Sequence, residues 1–411
     1  MSINQNFPEV SPSLLLDFAN SRTLDPRITF TRSSIGTYVA SNGLIKTAAA
    51  DEPRFDHDPE TGESLGLLIE ESRTNIVTYS ENLSQWDANN VTYHPSNVLS
   101  PDGVSYAYEM RENTANFYHA GYPDSISLDG SSYYTISAWL KKGPNYRTDI
   151  NDGNFQLYCS RGTGSVAYLI LNSDFDTIVS HSNTTARSLT QYPNGWVKVT
   201  YTFLSNAAGS VVAHFLLGSG GSYLGDGLSG VYIWGVQAEV GSFPTSYIPT
   251  SGSTLTRQPD NAYITGSNFT DFYNSSEGTA FVKVLMPNNN GASGIPSYAF
   301  KLTSDSNRYY GFSRDNVGPY HYVNTSNLST FTRASLASEY KSALAIKEND
   351  INSYVNGDQN LNSTNVTLFV PDILYLGNIA INNFNILNGH IKSFVYYPQR
   401  LTDSQLQNLT K

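Results

Sequence analysis

Side chains able to do chemistry crowd into one stretch, RFDHDPETGESLGLLIEE, Arg54–Glu71. Asp56, Asp58 and Glu60, spaced Asp-x-Asp-x-Glu around His57 and near Glu63, suggest a calcium loop. An EF-hand loop needs glycine at its sixth position, and counted from Asp56 that position is Thr61. Asp58-Pro59-Glu60-Thr61-Gly62 reads instead as the turn of a hairpin. Glu70 and Glu71 offer the paired carboxylates of glycoside hydrolysis, but neighbours on a strand point to opposite faces. Arg27, Arg32, Arg54 and Arg73 stand near Asp25, Asp56, Asp58, Glu70 and Glu71. Arginine forks onto carboxylates, so this block is expected to be a rigid mesh of ion pairs rather than a catalytic cleft.

Other reactive types are scattered. Cys159 lies in QLYCS, a strand pattern, where it serves as a small core hydrophobe. The seven histidines form no HExxH and no i, i+4 pair. LGSGGSYLGDGLSG, Leu217–Gly230, is rich in glycine but lacks the Lys-Ser/Thr of a phosphate loop. Asp226 within it is the one loop carboxylate placed to meet calcium, and no metal site or other cofactor is expected. No catalytic residue emerges, and the chain is expected to be non-enzymatic.

Aromatic residues give the positive signal. Sugars present apolar C–H faces that stack on tyrosine or tryptophan, whose rings lose little rotamer freedom on binding. Tyr118, Tyr122, Tyr158, Tyr320 and Tyr322 lie in polar surroundings and are the candidate carbohydrate contacts. Trp139, Trp196 and Trp234 sit one per strand among β-formers and read as core.

The elements that must position these residues are strands. The chain has 411 residues, enough for two or three domains. Charged residues are only 14%, while Tyr (29), Phe (19) and Gly (31) are abundant. Disordered chains show the reverse, so folded β structure is expected. The net charge of -11 argues against nucleic acid and against anionic lipid as partners. A single cysteine excludes an internal disulfide framework. No apolar run is long enough to span a membrane, and the first residues lack the basic and apolar regions of a secretory signal.

Three all-β units are expected, separated by turn signals. Residues 1–82 form an N-terminal β block and 83–251 a jelly roll with strands near Tyr106–Met110, Tyr133–Lys141, Gln156–Cys159, Val166–Leu171, Trp196–Leu204, Ser210–Leu217 and Val231–Val236. The jelly roll closes on VYIWGVQAEVGSFPTSYIPTSGSTLTR, Val231–Arg257, a strand followed by glycines and prolines that stop regular pairing. A linker follows at 252–266, whose STLTRQPDNAYI echoes TFTRSSIGTYV and suggests a strand lying beside the first block. The last unit is 267–411, with Asn356-Gly357 as a turn, Gly389-His390-Ile391 opening a strand, and a closing helix capped by Thr402.

These motifs resemble structural proteins of tailed-bacteriophage virions. LDPRITFTRSS, SNGLI and PRFDHDPETGESLGLLIEESRTN are similar to the N-terminal block of many such proteins. YYTISAWLKKG and PNGWVKVTYTF are similar to paired segments of carbohydrate-binding-module-like jelly rolls, and the last unit resembles laminin-G-like or concanavalin-like sandwiches. The resemblance implies an all-β chain of tandem β-sandwiches carried on a β connector. It implies a homo-oligomer, by analogy a trimer, on the phage particle, assembled in the host cytoplasm with other virion proteins. The implied role is a tail fibre or spike that binds host-surface glycan, with a head-decoration, head-fibre or tail-structural role without glycan binding as the alternative and a glycan hydrolase as the least favoured reading.

Overall fold

The computed structural model describes residues 8, 10–150, 153–286, 297–305, 307–315, 318–325, 329–333, 338–378 and 385–411. Strands hold 52% of the chain and helices 5%, so the fold is all-β, as expected. Two sandwiches are present. The jelly roll stacks two six-stranded sheets. One runs, edge to edge, Ala186–Tyr192, Trp196–Leu204, Tyr133–Lys142, Gly230–Val240, Tyr106–Glu112 and Val91–Leu99. The other runs Ile178–Ser182, Val166–Leu171, Phe155–Ser160, Ala213–Leu217, His119–Tyr122 and Asp87–Asn89. Period-2 alternation makes the core: Phe155, Leu157 and Cys159 point inward and are fully buried, while Gln156, Tyr158 and Ser160 point outward. Cys159 is thus a core residue, and burial pushes its thiol up to about 12.

The second sandwich corrects the domain expectation in two places. Residues 1–82 are not a separate block. Leu14–Asp17 pairs with Gly389–Tyr397, and Ser64–Ile69 pairs with the opening of that same strand. Leu14, Leu16, Phe55, Leu67 and Ile69 share one core with Val282, Phe300, Phe312 and Phe394. The physical reason is that these short strands have too few apolar side chains to close a core alone, and find it across the chain. Nor is 252–266 a linker. Leu255–Arg257 pairs with Arg73–Asn75, and Asn261–Thr265 lies between Thr29–Thr31 and Ile373–Leu376. Ala262 and Ile264 alternate inward, fully buried, which holds that register. The jelly roll is therefore inserted into the second sandwich, leaving and returning through neighbouring strands.

The closing helix, Asp403–Thr410, begins with a capping box. Gln405 Oε1 accepts from the Thr402 N–H at 2.9 Å, and the Thr402 hydroxyl accepts from the Gln405 N–H at 3.4 Å. Thr402→Ala is expected to lower stability by about 1 kcal/mol. The midpoint of urea unfolding measures it, and an unchanged midpoint would show that the box contributes nothing. Among the described residues no helix is long and apolar enough to cross a membrane.

Two clusters join the sandwiches. The expected ion-pair mesh is centred on buried charges. Arg54 meets Glu70 at 2.7 Å and also Asp260; Arg32 meets Asp260 at 3.0 Å; Arg257 meets Glu70 at 3.2 Å. Arg73–Glu71 and Arg27–Asp25 are two further ion pairs, each 2.7 Å. Burial alone would raise the Glu70 carboxyl, but Arg257, Arg54 and two Ser246 hydrogen bonds outweigh it and hold the group well below the usual carboxylate range. Beside this mesh, Trp139, Trp196 and Trp234 pack with Tyr247 and Ile45 on the outer face of the first jelly-roll sheet. All three tryptophans are buried, so they are core, but core of the junction between sandwiches rather than of the jelly roll itself.

Candidate aromatic binding face

The second jelly-roll sheet carries the candidate site on its outer face. Register places Tyr158 between Tyr168 on one neighbouring strand and His214 on the other. The Tyr158 and His214 rings are stacked, with centroids 4.2 Å apart and planes 6° from parallel. Tyr122 continues the row, 4.8 Å from His214. Tyr118 stands at the head of the same strand, where its hydroxyl accepts from Asn89 Nδ2 at 2.5 Å. Its ring lies 4.7 Å from exposed Phe117. Burial raises the Tyr158 phenol, and the neighbouring Tyr118 and Tyr122 hydroxyls add to that rise. Three of the five sequence-predicted tyrosines therefore share one half-buried face.

His214 sets the character of the face. Burial pushes it down to about 4, so it is a neutral, flat ring at ordinary pH. A neutral aromatic row with Asn89 and Gln156 on the same face suits a ligand with apolar C–H patches and hydroxyls. His214 and Tyr168 were not singled out in the sequence. Alternation was the available signal, because His214 is the outward position between buried Ala213 and Phe215.

The other two predicted tyrosines belong elsewhere. Tyr320 and Tyr322 sit on Pro319–Asn324 in the seven-stranded sheet of the second sandwich. Tyr322 stacks on Tyr309 at 4.8 Å. Tyr320 is only 7% exposed, which corrects its placement among accessible contacts. Its strand lies inside the sheet, with pairing partners on both sides.

The acidic positions are committed to structure. Asp58 accepts from the N–H groups of Glu60 and Thr61 and from the Thr61 hydroxyl, which closes the hairpin turn. Asp226 accepts from the N–H groups of Leu228 and Ser229, at 2.7 and 2.8 Å, closing its own loop. Among the described residues no three His, Cys, Asp or Glu side chains converge as a metal site.

No protein-family model and no curated protein matches this chain. Solved structures do. The CBM40 module of a Ruminococcus gnavus sialidase, bound to α2,3-sialyllactose, is 15% identical, covers 33% of this chain and 83% of its own, with a TM-score of 0.29. Domain 4 of an extracellular arabinanase from Geobacillus stearothermophilus, in complex with arabinotriose, is 14% identical over 41% of this chain and 82% of its own, at 0.31. A Trypanosoma rangeli sialidase in complex with an inhibitor is 10% identical over 97% of both chains, at 0.28. That last match corrects the expectation of a non-enzymatic chain, which is withdrawn. At these TM-scores the likenesses assign neither an activity nor a ligand to this chain.

Proposed function

We propose that this protein binds glycan through the aromatic face of its jelly roll and is displayed on the particle of a tailed bacteriophage. The observation that carries the glycan reading is the Tyr122–His214–Tyr158 row, three rings in line on one outer sheet face. The row gives a sugar ring a platform, and Asn89 and Gln156 supply hydrogen bonds to hydroxyls. The virion reading rests on the resemblance of the N-terminal segments, with tail fibre or spike as the role and a homotrimer as the assembly. Several copies would multiply a weak single site through avidity.

The test is binding of fluorescently labelled protein to host cells and to extracted host polysaccharide. Tyr158→Ala is expected to weaken saturable binding by about tenfold or more, the worth of one lost stacking contact. Its unfolding midpoint should stay close to that of the parent, because the side chain is only half-buried. Equal binding by parent and variant would remove this face as the site. No binding at all by the multivalent parent would favour the head-decoration or tail-structural role.

A further inference from the structure

A cavity lies between the two sandwiches, away from the aromatic face. It has a volume of about 440 Å³. Its walls come from both sandwiches: Leu65 and Leu68 from one side, Trp139, Tyr192 and Lys198 from the jelly roll, and Phe243 from the segment that leaves it. That volume falls within the range of small-molecule sites, roughly 300–1,000 Å³.

Four titratable side chains line the cavity: Asp56, Glu70, His390 and Lys198. Three are matched. Glu70 is held by Arg54 and Arg257, and Asp56 and His390 hold each other at 2.8 Å. Lys198 is different. Among the described residues it has no ion pair and no hydrogen bond, and its ammonium lies 4.8 Å from the centre of the Trp139 ring. Burial lowers its pKa, against the more distant charges of Glu239, Glu70 and Asp56. The buried Trp139 indole N–H faces the Tyr192 hydroxyl as its polar partner.

One ammonium without a counter-ion on the cavity wall calls for an acceptor. Lys198 is half-buried, and among the described residues the face of the Trp139 ring is its one close partner. A carboxylate supplies a charge-assisted hydrogen bond to it. A dianion would face the Asp56 and Glu70 carboxylates across the same space, so a single negative charge fits better. We propose that this cavity binds a small monocarboxylate, on the scale of a uronic-acid sugar, with its carboxylate on Lys198 and its body against Leu68 and Phe243. This site does not depend on the aromatic face of the jelly roll.

The test titrates the full chain with D-glucuronate, acetate, D-glucose and inorganic phosphate, read by calorimetry and by tryptophan fluorescence. D-glucuronate is expected to bind saturably and to perturb tryptophan emission. D-glucose, the neutral analogue, should bind at least about tenfold more weakly. Lys198→Met keeps the apolar stem and removes the charge, and should also weaken D-glucuronate by about tenfold or more. Lys198→Met should leave saturable binding of extracted host polysaccharide unchanged, which separates this site from the jelly-roll face. Should Lys198→Met fail to fold, the parent's preference for D-glucuronate over D-glucose decides. The proposal is overturned if neither D-glucuronate nor acetate binds the parent up to roughly tens of millimolar. It is equally overturned if Lys198→Met folds and binds as the parent does, or if phosphate binds more tightly than both carboxylates.

Discussion

Asp260→Ala is expected to destabilise the protein by about 3–5 kcal/mol, the cost of stripping the partner from a buried charge. Asp260 is fully buried, and its two oxygens face Arg32 and Arg54, whose side chains are themselves fully buried. It also accepts from the Glu70 N–H at 2.9 Å. The cluster holds three arginines, Arg32, Arg54 and Arg257, against two carboxylates, Glu70 and Asp260. Backbone carbonyls carry part of the excess: Arg32 donates to Ala49 at 2.7 Å and Arg54 to Thr37 at 2.9 Å. Without Asp260 the ratio becomes three to one, and the fully buried guanidinium groups are shielded from bulk solvent. Asp260→Asn should lose nearly as much, because it keeps the shape and removes the charge. Guanidinium chloride unfolding of both variants measures this, and a loss under about 1 kcal/mol in each would show that the carbonyls alone suffice. Glu70 adds an acid limit. Its folded pKa is depressed, so its contribution is fully present above the ordinary carboxylate range, about pH 4, and drains only as pH falls through the lower folded value.

Trp234→Ala carries the second large effect, again about 3–5 kcal/mol. Trp234 is 1% exposed, lies 4.6 Å from the Tyr247 ring and 5.4 Å from the Trp139 ring, and donates to the Ser105 hydroxyl at 3.1 Å. Tyr247 is fixed in turn by Glu81 at 2.8 Å and Ser80 at 2.7 Å. Removing the indole leaves a void where the jelly roll meets the segments that cover it, and packed aromatics on several elements cannot all collapse into it. Trp234→Phe should lose less than half as much, since a ring remains. Thermal unfolding with near-ultraviolet circular dichroism tests both; an alanine variant within about 1 kcal/mol of the parent would mean the junction repacks freely.

Strands with strong apolar alternation were legible from their residues alone. Val166–Leu171 and Trp196–Leu204 have the bounds their patterns indicate. Val91–Leu99, Ile178–Ser182 and Ala186–Tyr192 were missed, because each lies at a sheet edge and reads as polar loop, such as VTYHPSNVL. Register partners were the larger gap. Ser13 bonds Tyr396 across 383 residues, and periodicity along a strand says nothing of where its partner lies. The echo between TFTR and LTRQPDNAYI was one exception: both copies sit in adjoining parts of the same fold, and their arginines converge on one cluster. At the aromatic face the tyrosines were legible from composition, whereas His214 was hidden inside the apolar run VVAHFLL. Lys198 looked like an ordinary outward lysine of a strand, because only the packing of a second sandwich turns that outward face into an interior.

The insertion of the jelly roll has a consequence for how the chain emerges from the ribosome. Ser64–Ile69 is made long before its partner Gly389–Tyr397. At a synthesis rate of about 5–20 residues per second, the early strands wait some tens of seconds with open edges. The jelly roll has all its strands in hand by Val240 and can close well before then. Its completion brings Thr78 and Gly252 within a 2.8 Å hydrogen bond, which ties the two loose ends of the interrupted sandwich together. The inserted unit thereby shortens the loop that the outer one must close.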